Sequence, residues 1–148
     1  MTDDLGNVLA PMEYAAVNVN DSTLLEDSLK HLKKVAKIVK LDLTGVEFNL
    51  DSGFDSKRNR KIIWNAGMIP NIPENIRNRN PDKPKKGRPR YYNIKSYKER
   101  FIIEKTFAWE DAYRSLVIRY DRKDSNFIGR KLLAYTLINL RHFCGRSQ

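Results

Sequence analysis

The most regular stretch of the chain is STLLEDSLKHLKKVAKIVK. In it Leu24, Leu25, Leu29, Leu32, Val35 and Ala36 recur at three- and four-residue spacing, which predicts an amphipathic helix with Asp21 as its N-cap. The period then changes to two. In GVEFNLD, Val46, Phe48 and Leu50 alternate with Glu47, Asn49 and Asp51, predicting a strand that ends in an acid. SGF makes the turn, Asp55 is placed to cap a helix over SKRNRKIIWNAG, and Gly67 is placed to stop it; MIPNIP then reads as a short strand limited by its prolines. Upstream, TDDLGNVLAPMEYAAV opens on an Asp/Gly/Asn turn around Gly6 and runs on as an extended apolar segment, the second half of a hairpin.

The second half of the chain is more helical. YKERFIIEKTFAWEDAYR, residues 97–114, predicts one helix with Tyr97, Arg100, Glu104 and Asp111 on a shared face. Ile102, Trp109 and Tyr113 group away from that face, so the aromatics are expected inside and Glu104 beside Arg100 at the core margin. NFIGRKLLAYTLINLRHF, started by Asp124 or Ser125, is apolar around most of its circumference and predicts a largely buried last helix. Between these blocks, residues 74–93 (ENIRNRNPDKPKKGRPRYYN) show no apolar period and are expected to form a loop or disordered insertion. The order hairpin, helix, strand, helix, strand, loop, helix, helix is an α/β pattern, and no internal repeat is visible.

Composition narrows the partner. The 148 residues suit one ordinary domain, and 28 Lys and Arg against 18 Asp and Glu leave a charge of +10, which favours a polyanion such as nucleic acid. No apolar run approaches the ~20 residues of a membrane-spanning helix, and MTDDLGNVLA lacks the basic start of a secretion signal, so a cytoplasmic, nucleoid-associated protein is expected. Cys144 is the single cysteine and His31 and His142 the only histidines, which excludes an internal disulfide and a zinc-ligand cluster. Any metal must be held by oxygen.

Two acids stand out by position: Asp51 at the carboxyl end of a strand, where open α/β sheets place their sites, and Glu104 on a helix beyond the basic insertion. Carboxylates that hold Mg²⁺ over phosphate oxygens are the usual apparatus of phosphoryl transfer. Each residue also has a plain structural reading, Asp51 as a turn residue before Gly53 and Glu104 as the partner of a helical ion pair with Arg100. In the insertion, KPKKGRPR has a Gly-Arg-Pro core at Gly87, Arg88 and Pro89 like an AT-hook, whose extended Arg-rich chain lies in a narrow minor groove. A basic linker that binds phosphates without sequence preference is the alternative.

Five segments in order resemble the C-terminal portion of bacterial insertion-sequence transposases of the DDE type. TDDLGNVLA resembles that family's hairpin turn; AAVNVNDS its Ala-Asn-x-x-Asp segment; LDSGFDS its Ala-Asp-Lys-Gly-Tyr-Asp-Ser segment; YKERFIIEKTFAW its Tyr-x-x-Arg-x-x-x-Glu block; and RYDRKDSNFIG its Arg-Tyr-Asp segment before the last helix. The resemblance implies a ribonuclease-H-like fold over residues 1–148, with Asp51 and Glu104 as catalytic, metal-holding carboxylates and Mg²⁺ or Mn²⁺ as the cofactor. It also implies that Tyr97 and Arg100 contact the DNA backbone, a role to which the basic insertion would add Lys85, Lys86, Arg88 and Arg90. Asp111 stands where many members place a lysine.

In the family the first catalytic aspartate ends a strand ahead of the turn that here occupies Asp3 to Gly6. The implied fold is therefore expected to be incomplete at the N-terminus, lacking its first strand and most of its second, and the chain to be inactive alone. Both a gene remnant and one reading frame of a split transposase fit. DNA, a second copy of the chain or a full-length transposase are the expected partners. The other readings are a non-catalytic DNA-binding remnant or regulator, and a structure-specific nuclease.

Overall fold

The computed structural model describes residues 1–10, 15, 18–78 and 89–145. Its contacts divide the chain into two compact units, one of residues 13–98 (the central unit) and one joining residues 1–12 to residues 99–148 (the terminal unit).

In the central unit, helix α1 (Asp21–Ile38) buries Leu25, Leu29, Leu32 and Ala36, four members of the predicted stripe. Its cap is one residue earlier than expected. Asn20 has extended backbone and its side chain accepts from the Ser22 amide at 2.9 Å, while Asp21 already belongs to the first turn. Strand β1 (Glu47–Asn49) and strand β2 (Ile69–Asn71) run parallel, Glu47 opposite Ile69 and Asn49 opposite Asn71, joined through α2 (Lys57–Asn65). The end of α2 follows the Schellman pattern: Gly67 takes φ +87°, its amide bonds the Trp64 carbonyl, and the Met68 amide reaches back to Ile63. Ile63 and Met68 are both fully buried, so the same turn that ends the helix closes the core.

The alternation over residues 46–51 does not separate a buried apolar face from a solvated polar one. Val46 is 43% exposed, whereas Glu47 and Asn49 are covered by the incoming segment around Asn93. Asn71, wholly buried, donates to Asn49 Oδ1 at 2.6 Å and to the Asn93 carbonyl at 2.9 Å, and accepts from the Asn93 amide at 2.8 Å. Asn49 in turn donates to Ser96, and Glu47 accepts from Tyr91 and Asn93. A carboxamide offers donors and an acceptor together, so this polar face can fasten irregular chain where a hydrophobic face could not.

The expected single helix over residues 97–114 is broken. Helix α3 (Ile94–Glu99) ends before Arg100, α4 (Ile102–Asp111) begins after Phe101, and α5 (Arg114–Val117) follows. The break falls at the boundary between the two units. Tyr97 and Glu104 therefore sit on different helices, and the shared face drawn for them does not exist as one helical stripe.

In the terminal unit, Thr2 and Val8 form an antiparallel bridge about a turn organised by Asp3, whose carboxylate accepts from the amides of Leu5 and Asn7. Residues 11–14, 16 and 17 of the expected hairpin segment lie outside the described residues. Helix α6 (Asp124–Gly145) supplies a strand-like partner: Asn139 accepts from the Val8 amide at 2.8 Å and donates to the Val8 carbonyl at 2.9 Å. Glu110 of α4 is buried against α6, bonded by Lys131 at 2.9 Å and by the Tyr135 hydroxyl at 2.7 Å. The largely buried last helix is also corrected. Ala134, Tyr135 and Ile138 face inward, but Leu133 and Phe143 are 60% and 77% exposed, because the unit's other elements pack on one side of α6 only.

Gly6 is the tightest point of this unit. It has φ +85°, and an added Cβ would meet Trp109, Ile102 and Thr106 at 3.0–3.2 Å. Gly6→Ala should therefore destabilise the protein by about 1–3 kcal/mol, from left-handed strain and overpacking together. Urea unfolding followed by the fluorescence of Trp109 checks this; an unchanged midpoint would contradict it.

Candidate functional site

Asp51 stands just past the carboxyl end of β1, in the central unit. It is exposed, and its Oδ1 accepts from the Gly53 amide at 2.8 Å, capping the short 3₁₀ turn Ser52–Phe54. The turn role and the strand-end position are both realised. Beside it opens a depression of about 410 Å³, bordered by Asp51, Gly53 and Phe54 on one side and by Asn20, Asp21 and Ser22 of the first turn of α1 on the other. Asp21 was not singled out in the sequence as a neighbour of Asp51. Its fit to the family's Ala-Asn-x-x-Asp segment was the available signal.

Glu104 lies in the terminal unit, in the first turn of α4, and is exposed. The buried acid of that helix is Glu110, which sequence reasoning passed over; its signal was an acidic position amid the apolar arc, with Lys131 and Tyr135 one turn apart on the facing helix. Tyr97 lies within α3 and its ring meets Tyr92 at 5.4 Å between centroids. Arg100 sits half-buried in the break between α3 and α4. Gly87, Lys85, Lys86 and Arg88 lie outside the described residues.

Both mapped acids are exposed carboxylates, a donor type that suits a hard divalent cation. Among the described residues, however, no group of three or more His, Cys, Asp or Glu is arranged to hold a metal ion. The described residues do not by themselves make a metal centre.

Asp55 is the main surprise. Expected to cap α2, it leaves that role to Ser56, whose hydroxyl accepts from the Asn59 amide at 3.0 Å. Its own side chain is 3% exposed and takes Arg60 Nε at 2.9 Å, Arg90 at 2.5 Å and the Asn75 amide at 3.0 Å. Arg60 also donates to the Ile72 carbonyl at 2.7 Å. Arg90, expected to meet phosphate, is thus bonded to a buried carboxylate.

Burial works against ionisation of Asp55, but the Asn75 amide and the two arginines outweigh it and hold its pKa below the ordinary aspartate value. The pKa of Glu47 is lowered as well, by the Tyr91 hydroxyl first and then by Ser96 and Asn93.

The family model for the transposase DDE domain matches residues 48–141, more than half of the chain, and the chain belongs to that family. Searches of curated proteins and of solved structures gave no match. The observed mixture of helices with a small parallel sheet is consistent with an α/β domain of this kind, and the family makes a transposition-related function the setting for the site. Among the described residues no helix is long and apolar enough to cross a membrane.

Two predictions follow from this geometry. Asp51→Asn should leave unfolding stability unchanged, because an amide oxygen still caps Gly53, whereas Asp51→Ala should cost about 1 kcal/mol; chemical denaturation of the pair distinguishes a cap from an idle side chain. Secondly, a carboxylate with a depressed folded pKa stabilises above its unfolded pKa, and that contribution is lost as pH falls through the folded value. Unfolding midpoints measured across acid pH should therefore decline more steeply for the wild type than for Asp55→Asn.

Proposed function

We propose that the chain acts on DNA in transposition, with Asp51 and Glu104 as the acids at the reacting phosphate in a ribonuclease-H-like arrangement. The observation that carries this reading is a family match that spans both acids, each of which is exposed rather than consumed by the core. Asp51 also follows a strand of a parallel pair, the position at which such sheets bind ligands. The basic residues of the 74–93 segment other than Arg90, which is bonded to Asp55, supply the backbone contacts together with Tyr97 and Arg100. Their charge accounts for attraction to a polyanion and carries no sequence information by itself. Mg²⁺ or Mn²⁺ belongs to this reading as the cofactor of a completed site.

The test has two arms. Fluorescence anisotropy with duplex DNA over a salt series should show affinity falling steeply with salt, and Lys85→Ala should make the slope shallower by about one contact. In the same assay Arg88→Ala removes any preference for A·T-rich duplex if the Gly-Arg-Pro core enters the minor groove. The second arm incubates supercoiled plasmid with Mg²⁺ or Mn²⁺; nicking that appears should be lost in Asp51→Asn and Glu104→Gln while DNA affinity stays the same. Salt-insensitive binding, or nicking that survives both substitutions, would overturn the reading.

A further inference from the structure

The charge of α1 is divided along its length. Its first half carries Asp21, Glu26 and Asp27, and Lys30 is met there by Asp27 at 2.9 Å and by Glu26 at 3.5 Å. Beyond Lys30 no acid occurs before Asp42. Lys33, Lys34, Lys37 and Lys40 fall in that interval, and all four are exposed. By helical rotation Lys33, Lys34 and Lys37 share one arc of about 100°, turned away from the buried Leu25, Leu29, Leu32 and Ala36. Lys40 follows the helix in a left-handed conformation, φ +55°, which no other non-glycine residue adopts among those described. It is the residue after the cap of a Schellman end, closed by the 2.8 Å bond from the Leu41 amide to the Ala36 carbonyl. At the same place after α2 the chain has Gly67.

Helix stability accounts for only part of this pattern. Cations in the last turn complement the negative end of the helix dipole, an effect confined to that turn, so it covers Lys37 and leaves Lys33 and Lys34. A side chain at positive φ costs stability that glycine would not, so the fold itself gains nothing from a lysine at position 40. We propose that Lys33, Lys34, Lys37 and Lys40 form a DNA-backbone contact, a track of point charges at the C-terminal end of α1 that takes the phosphates of a duplex. The proposal rests on the DNA-binding reading above and adds to it a surface that owes nothing to residues 74–93. Lys33 and Lys37 stand about 6 Å apart along the axis, close to the rise of two phosphates on one strand at about 3.4 Å each. Lysine carries a point charge on a flexible stem and lacks the planar fork of arginine, which suits a contact without sequence preference. An anionic lipid surface would meet the same charge, and membership of a transposase family favours DNA.

Lys40→Gly should move folding and binding in opposite directions. Its thermal midpoint should rise by about 3 °C as the left-handed strain is relieved. Its affinity for duplex DNA at 0.1 M salt should fall by about five-fold, with a salt slope shallower by about one contact. Lys40→Arg keeps the charge and should bind like the wild type at the wild-type midpoint. The triple variant Lys33→Gln, Lys34→Gln, Lys37→Gln should lose about three contacts from the slope, with its midpoint within about 2 °C of the wild type, because all three side chains lie in solvent.

A second arm locates the contact on the unmodified protein. Acetylation by acetic anhydride, mapped by mass spectrometry, should be suppressed at Lys33, Lys34, Lys37 and Lys40 when duplex is bound. Full-strength binding by Lys40→Gly, an unchanged salt slope in the triple variant, or undiminished acetylation of the four lysines under saturating duplex would each overturn the proposal. So would a stronger association of the four lysines with vesicles of phosphatidylserine than with duplex at equal salt, which would assign the track to a lipid surface. Failure of the DNA-binding reading looks different: the wild type itself would not bind duplex, whereas failure of this proposal alone leaves a wild type that binds with a steep salt slope which the lysine variants do not alter.

Discussion

A carboxylate removed from water must be met by donors or it will not stay ionised, and the central unit is built around one such group. Asp55 collects bonds from α2, from the chain after β2 and from the chain before α3, segments that no shared hydrophobic stripe would bring to one place. Leaving an uncompensated buried charge by removing one partner costs about 3–5 kcal/mol, so these segments are tied to a common fate. The apolar core of Leu25, Leu29, Leu32, Ile63 and Met68 gives the unit its bulk, and the ion cluster decides which loops are attached to it.

The polar face of β1 extends the same logic. With only two described strands, the sheet offers little apolar surface, and Asn49, Asn71 and Asn93 do by hydrogen bonding what a third strand does in a larger sheet. Asp51 follows directly on this fastened strand. Its position is therefore set by the asparagine network behind it, even though its own carboxylate faces solvent and bonds only locally to Gly53 in the described contacts.

Periodic features were legible in the sequence, and features that depend on distant partners were not. The stripe of α1, the two strands flanking α2 and the stop at Gly67 all arise from spacing or from one residue's backbone freedom, and each is found as expected. Asp55 was misread because an aspartate before Ser-Lys has the composition of a cap, and nothing local announces an arginine 35 positions later. The 97–114 segment was read as one helix because its residues all have acceptable helix propensity, and no Gly or Pro marks the break at Arg100 and Phe101. Of the candidate site, Asp51 and Glu104 stood out by position, but an expected role for them came only from resemblance to a family, since a solvent-exposed acid carries no periodic signal.

The pairing of Asn139 with Val8 spans 131 positions, and His142 meets Asn7 across 135. Contacts of such separation are slow to form and have no counterpart until α6 has been made. On a ribosome, residues 13–98 can assemble while the first residues wait, their backbone groups unpaired and their apolar side chains uncovered. The turn at Asp3 to Gly6 is thus made before residues 13–98 and finds its place only after α6, an interval in which a chaperone or a competing edge has its best access to it.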